Sequence, residues 1–156
     1  MSKKLKSKLM VLVMLLAVAM TQIPMLNVSA AEANKTFTVG NLKYEVVNNS
    51  KSSKDCNEVK VVGFAKGCSN KESVNIPSKI TCNNKTYKVT QVANNAFCNN
   101  NKIKEVSIPK SVSCVGKNAF KGCSNLSDLN INCNKSAVKS GAFSKCSNIT
   151  LKNCFK

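Results

Sequence analysis

The chain has 156 residues, 24 basic side chains that are all lysine, seven acids and no histidine. Its length fits one small domain once a leader is removed. Without histidine there is no ordinary Ser–His or Cys–His nucleophile and no mixed Cys/His zinc site, and without arginine's planar bidentate fork a dedicated nucleic-acid reader is not expected.

Residues 1–30 read as a secretory signal peptide. Lys3, Lys4, Lys6 and Lys8 form a basic start, Leu9 to Met20 form an apolar run, and Pro24 precedes the small-x-small end Val28-Ser29-Ala30. The apolar run is short of the roughly 20 residues that span a bilayer. Cleavage is expected near Ala30, with no transmembrane segment in the mature chain, which is secreted or loosely held at a cell surface. Removing the leader leaves 20 lysines against seven acids, a net +13. Such a surface is solubilising, and it also attracts polyanions such as cell-wall polymers, acidic glycans or anionic lipid.

Residues 31–73 read as an N-terminal β cap. Two alternating runs, Phe37 to Val39 and Leu42 to Val46, flank Gly40-Asn41 and predict a hairpin. The polar stretch from Asn48 to Asn57 reads as a loop, and Glu58 to Gly63 as a third strand. From Val74 the chain becomes repetitive. Val74-Asn-Ile76-Pro77-Ser-Lys-Ile80-Thr-Cys82 matches Val106-Ser-Ile108-Pro109-Lys-Ser-Val112-Ser-Cys114 at an offset of 32. The extra residues surround Asn83-Asn84, which predicts a hairpin inserted into the first coil.

Downstream the period is 23. Val92-Ala-Asn-Asn-Ala96-Phe97 recurs as Val115-Gly-Lys-Asn-Ala119-Phe120 and as Val138-Lys-Ser-Gly-Ala142-Phe143. A fixed period of this length marks a solenoid in which each unit stacks on its neighbour. After each Ala-Phe comes a polar turn and then a strand, with Val106/Ile108, Leu129/Ile131 and Ile149/Leu151 as apolar alternates. Pro109 cannot donate to a ladder and marks a strand's exit. Alanine lets backbones approach, and Phe97, Phe120 and Phe143 are expected to form one column of rings through the core.

The stretch Ile108-Pro109-Lys-Ser-Val112-Ser-Cys-Val115-Gly116-Lys-Asn-Ala119-Phe120-Lys-Gly-Cys123-Ser-Asn-Leu126 resembles the BspA-type leucine-rich repeats. The resemblance covers about Val74 to Leu151 and, more loosely, the region from Phe37. It implies a curved leucine-rich-repeat solenoid over residues 74–156, with short parallel strands and short helical or irregular returns. It also implies a secreted or surface-exposed protein that attaches to proteins or cells, with no catalytic machinery.

All nine cysteines follow the leader. Export permits disulfides, and an odd number leaves at least one thiol free or paired between molecules. Cys123 and Cys146 occupy one repeat position, and Cys82 and Cys114 another, so bridging within either pair is allowed at the spacing of stacked strands. Buried free thiols are the expectation for Cys123 and Cys146. Cys56 and Cys68 fall in the cap and are the candidate disulfide. Cys98 and Cys133 lack counterparts and are the expected reactive or intermolecular thiols.

Three function classes remain. A binding or adhesion module fits export, the repeats and the basic surface. Its contact face would carry Lys104, Ser107, Ser127 and Asn130, and its partner would be a protein, glycan or cell-wall surface. A small secreted cationic, cysteine-rich effector or antimicrobial protein is the alternative. A secreted enzyme is disfavoured by seven scattered acids and the missing histidine, and no cofactor or metal is implied.

Overall fold

The computed structural model describes residues 35–47, 57–147 and 149–152, all within one compact unit, Ala31–Lys156. The leader segment lies outside the described residues. No helix among the described residues is long and apolar enough to cross a membrane.

Three strands open the unit: β1 (Thr36–Val39), β2 (Leu42–Val46) and β3 (Glu58–Phe64). They pair antiparallel, with Val39 opposite Leu42 across the Gly40-Asn41 turn. Gly40 has φ of 59°, a left-handed value that glycine adopts without a Cβ penalty. The expected first hairpin is therefore present.

From β3 onward the chain winds through two parallel ladders. One runs β3, β6 (Lys85–Val92) and β8 (Cys114–Val115), and the bridge from Val115 to Val138 extends it. The other runs β4 (Ser73–Asn75), β7 (Glu105–Ile108), β9 (Asp128–Ile131) and β10 (Thr150–Lys152). In the second ladder Val74, Val106 and Leu129 share one register row, and all three are buried. The period-2 alternation in the sequence sets which side of each strand meets the core.

The remaining strand, β5 (Lys79–Cys82), forms the inserted hairpin with β6. Asn83 and Asn84 make its turn with φ of 49° and 59°, the left-handed pair that a tight two-residue hairpin requires. This hairpin separates two cysteines that the repeat alignment brings together. Cys82 pairs with Lys85 at one end of β6, whereas Cys114 pairs with Gln91 towards the other. Six residues of extended chain span about 20 Å, so no bridge joins them.

Between the ladders the return segments are runs of turns. Only Lys135–Ala137 forms a short 3-10 helix among the described residues. The cause is local. Asn95, Asn118 and Gly141 take left-handed φ of 57°, 58° and 74°, one per repeat. Asn99, Gly122 and Lys145 do the same four residues later, at 59°, 74° and 60°. A left-handed residue on each side of the Ala-Phe pair interrupts any right-handed helix. It also points amide groups along the stack. Phe97 N–H donates to Ala119 O at 2.7 Å, and Phe120 N–H donates to Ala142 O at 2.8 Å.

The core is the expected column of rings, extended by one member. Phe97 and Phe120 stack at 5.0 Å between centroids, and Phe120 and Phe143 at 5.2 Å with planes only 2° apart. Phe64, at the end of β3, meets Phe97 edge-on at 5.1 Å. A second aromatic cluster joins β1, β2 and β6, with Phe37 lying 6.1 Å from Tyr44 and 5.3 Å from Tyr87.

Candidate binding face

The outward side of the second ladder is a polar surface held by a buried apolar row. Register places Ser73, Glu105 and Asp128 side by side, and Asn75, Ser107 and Asn130 side by side. These residues, with Val74, Val106 and Leu129 between them, line a groove of about 320 Å3. Neighbouring strands stand about 4.8 Å apart, so each row sets polar residues at a fixed spacing on a rigid support, and β10 extends the rows to Thr150 and Lys152.

The four residues expected on this face divide into two pairs. Ser107 and Asn130 meet in one row, and the side-chain amide of Asn132 donates to Asn130 Oδ1 at 3.0 Å. Lys104 and Ser127 precede β7 and β9 and do not line the groove. Lys104 pairs instead with Glu72, Nζ to Oε1, at 2.8 Å, and Ser127 Oγ donates to Lys104 O at 3.3 Å. A spacing of three residues does not match a strand. The period of two puts Glu105 and Asp128 beside Ser107 and Asn130, and that parity was the available signal for the missed acids.

Electrostatically the groove departs from the rest of the chain. The protein carries a net charge of +17, yet two carboxylates line the groove, and the register sets Lys152 beside Asn130 on the next strand. The Lys104–Glu72 pair is exposed on both sides, and such pairs contribute about 0–1 kcal/mol. It therefore adds little to the stability of the fold.

The repeat cysteines serve the stack. Cys123 Sγ–H donates to Phe97 O at 3.2 Å, and Cys146 Sγ–H donates to Phe120 O at 3.1 Å. Each thiol thus reaches the backbone carbonyl of the previous coil, which requires the protonated form. Burial pushes the Cys123 thiol up to about 11, and the neighbouring Cys146 adds to the shift. Burial likewise raises Cys146 and Cys133. The seven described cysteines are not bonded to one another.

Two cysteine expectations change. Cys133 is buried rather than reactive, with 1% of its surface exposed, because it follows β9 into the core. Cys68 sits in the return between β3 and β4, and its surroundings Lys66-Gly67-Cys68-Ser69-Asn70 repeat Lys121-Gly122-Cys123-Ser124-Asn125. One residue more between Phe64 and Cys68 than between Phe120 and Cys123 hides this match in a fixed-period reading. Cys98 is half-buried. Cys56 lies outside the described residues, and with it the expected Cys56–Cys68 bridge.

The family pattern described as the BspA type leucine rich repeat region matches residues 64–154 in six copies. The chain belongs to the BspA-type leucine-rich repeat family. The match begins at Phe64, the residue that opens the ring column. Solved structures of similar fold include a leucine-rich cell surface protein from Faecalibacterium prausnitzii, 24% identical with a TM-score of 0.61, over 79% of this chain and 31% of that one. A leucine-rich repeat protein from Bacteroides ovatus is 29% identical with a TM-score of 0.59, over 74% of this chain and 28% of that one. A third, from Bacteroides capillosus, is 19% identical with a TM-score of 0.55, over 76% of this chain and 99% of that one. The chain spans about a third of the length of the first two. No curated protein sequence matches it.

Proposed function

We propose that this chain is a secreted protein-binding module that attaches to a partner protein or cell surface through the outward face of its second ladder. The observation that carries this reading is the pair of in-register polar rows over the groove, Ser73/Glu105/Asp128 and Asn75/Ser107/Asn130. Rigid strands present the rows with little backbone freedom left to lose on binding, which favours specific contact. In this reading residues 1–30 direct export, residues 31–73 supply a cap in which the β1–β2 hairpin covers the start of the stack, and residues 74–156 carry most of the repeats. The lysines spread over the chain give non-specific attraction to anionic surfaces, while the two carboxylates of the groove favour a neutral or cationic partner.

The test is binding of the purified protein to matrix proteins, mucin and bacterial cell walls across a salt series. Specific attachment predicts that one surface retains binding at high salt. A Ser107→Arg/Asn130→Arg variant should then lose at least about tenfold in affinity, equivalent to about 1.4 kcal/mol. Equal binding by this variant would remove the face from the proposal.

A further inference from the structure

Each coil crosses from the first ladder to the second through a run of turns, residues 65–71, 93–103, 116–126 and 139–147. Hydrogen bonds lay these four runs side by side. Asn100 Nδ2 donates to Ser69 O at 2.9 Å, Asn99 N–H donates to Lys121 O at 2.7 Å, and Gly122 N–H donates to Ser144 O at 2.9 Å. The rings beneath, 5.0 and 5.2 Å apart, set the step from one run to the next. The runs therefore form one continuous face of the stack.

This face has charge of one sign. The four runs contain lysine but no aspartate or glutamate. Lys66, Lys102, Lys117, Lys139 and Lys145 are exposed, and Lys121 is half-buried. The described acids lie elsewhere. Glu45, Glu58, Glu105 and Asp128 are on strands, and Glu72 directly precedes β4, where Lys104 holds its carboxylate. The exposed residues of the four runs are all lysine, asparagine, serine or glycine. Their large apolar side chains Phe97, Ile103, Phe120 and Leu126 are buried. The face thus offers ammonium groups and small hydrogen-bonding groups, and none of its described apolar side chains is exposed to enter a bilayer.

Charges on adjacent coils fall within the Debye length of about 10 Å at 0.1 M salt, so their fields add. Lysine is a hydrated point charge without arginine's rigid fork, which suits a ligand with many anionic groups better than one oriented phosphate. We infer that this face is a second binding site, which takes an anionic polysaccharide laid across the coils. The acidic groups of the polymer meet the lysines, and its hydroxyls bond the asparagine and serine side chains between them. The site is distinct from the polar face, which lies on the second ladder and carries Glu105 and Asp128.

The probe is heparin, titrated with the purified protein by calorimetry in about 0.1 M salt, with dextran as the uncharged control. Heparin should bind and dextran should not. Two variants of equal net charge locate the site. Lys117→Gln/Lys121→Gln/Lys139→Gln/Lys145→Gln should weaken heparin at least about tenfold. Lys43→Gln/Lys79→Gln/Lys88→Gln/Lys110→Gln, at exposed positions on other segments, should weaken it less than about threefold. Lys117→Glu/Lys139→Glu, at two exposed positions, should also weaken it at least about tenfold, and it serves as the test if the first variant loses its circular dichroism spectrum. Ser107→Arg/Asn130→Arg should not weaken heparin, so failure of this face and failure of the polar face are distinguishable. Equal losses in the two four-lysine variants would overturn the inference by spreading the attraction over the whole surface. Binding to dextran as tight as to heparin would overturn it as well. Tighter binding to phosphatidylserine vesicles than to heparin at matched charge would also overturn it, by making a lipid surface the occupant.

Discussion

Cysteine and asparagine carry the repeat at the residue scale. The thiols of Cys123 and Cys146 act as small apolar fillers whose S–H satisfies a carbonyl of the coil before. Asn95 and Asn118 hold left-handed positions that Gly141 fills in the next unit, as expected where a short polar side chain tolerates that region. The thiol shift has a pH consequence. An unfolded thiol has a reference value of 9.0, against about 11 for Cys123 in the fold. Between those values the unfolded chain loses a proton that the folded chain keeps. The stabilisation is therefore fully present below about pH 9 and is lost as pH rises through about 11. Tyr44, raised by burial from 10.0 to about 12, adds a loss in the same direction at slightly higher pH. The urea midpoint should be flat up to about pH 9 and fall above it. Cys123→Ala should show a shallower fall, which isolates the contribution of this thiol. Identical slopes for the two proteins would remove Cys123 as a cause.

At the scale of elements, stability comes from stacking rather than from any one coil. Each unit has a short strand, a run of turns and one ring, too little to bury a core alone. Phe120 is fully buried between two rings, whereas Phe143 has a ring partner only on the Phe120 side among the described residues and is half-buried. Phe120→Ala should therefore cost about 3–5 kcal/mol. Phe143→Ala should cost clearly less, as read from urea unfolding. Equal losses would mean that residues outside those described seal the last ring. Gly116 is a second point of close approach. A Cβ there would stand 2.6 Å from Asn94 N, so the coils could not close at their present spacing.

At the scale of the whole molecule, charge and contact surface separate. The lysines give the chain a sequence pI of about 9.7, while the groove over the second ladder is lined by Glu105 and Asp128. Two kinds of binding follow. Attraction to heparin or anionic vesicles should be strong at low salt and vanish as the Debye length shrinks from about 10 Å at 0.1 M to 3 Å at 1 M. A Glu105→Gln/Asp128→Asn variant should bind heparin about as well as the parent at any salt. A large gain in heparin binding by that variant would place the polyanion contact in the groove itself.

Much of this architecture was legible in the sequence because its causes are local. The 23-residue period, the alternation in β7 and β9, and the turn residues Gly40-Asn41 and Asn83-Asn84 each act within a few positions. They determine where strands lie, which side of each is buried and which phenylalanines stack. Pairing between distant segments is different. Phe64 joins the ring column although its unit lacks the Ala-Phe order. Cys82 and Cys114 share a repeat position yet sit far apart along β6, because β5 folds back on that strand. Only the tertiary structure set the polar rows around one groove, and only it placed β4 at the end of the second ladder among the described residues. Periodicity specifies the repeat, while the register between coils and the strands that end a ladder depend on contacts that no local pattern encodes.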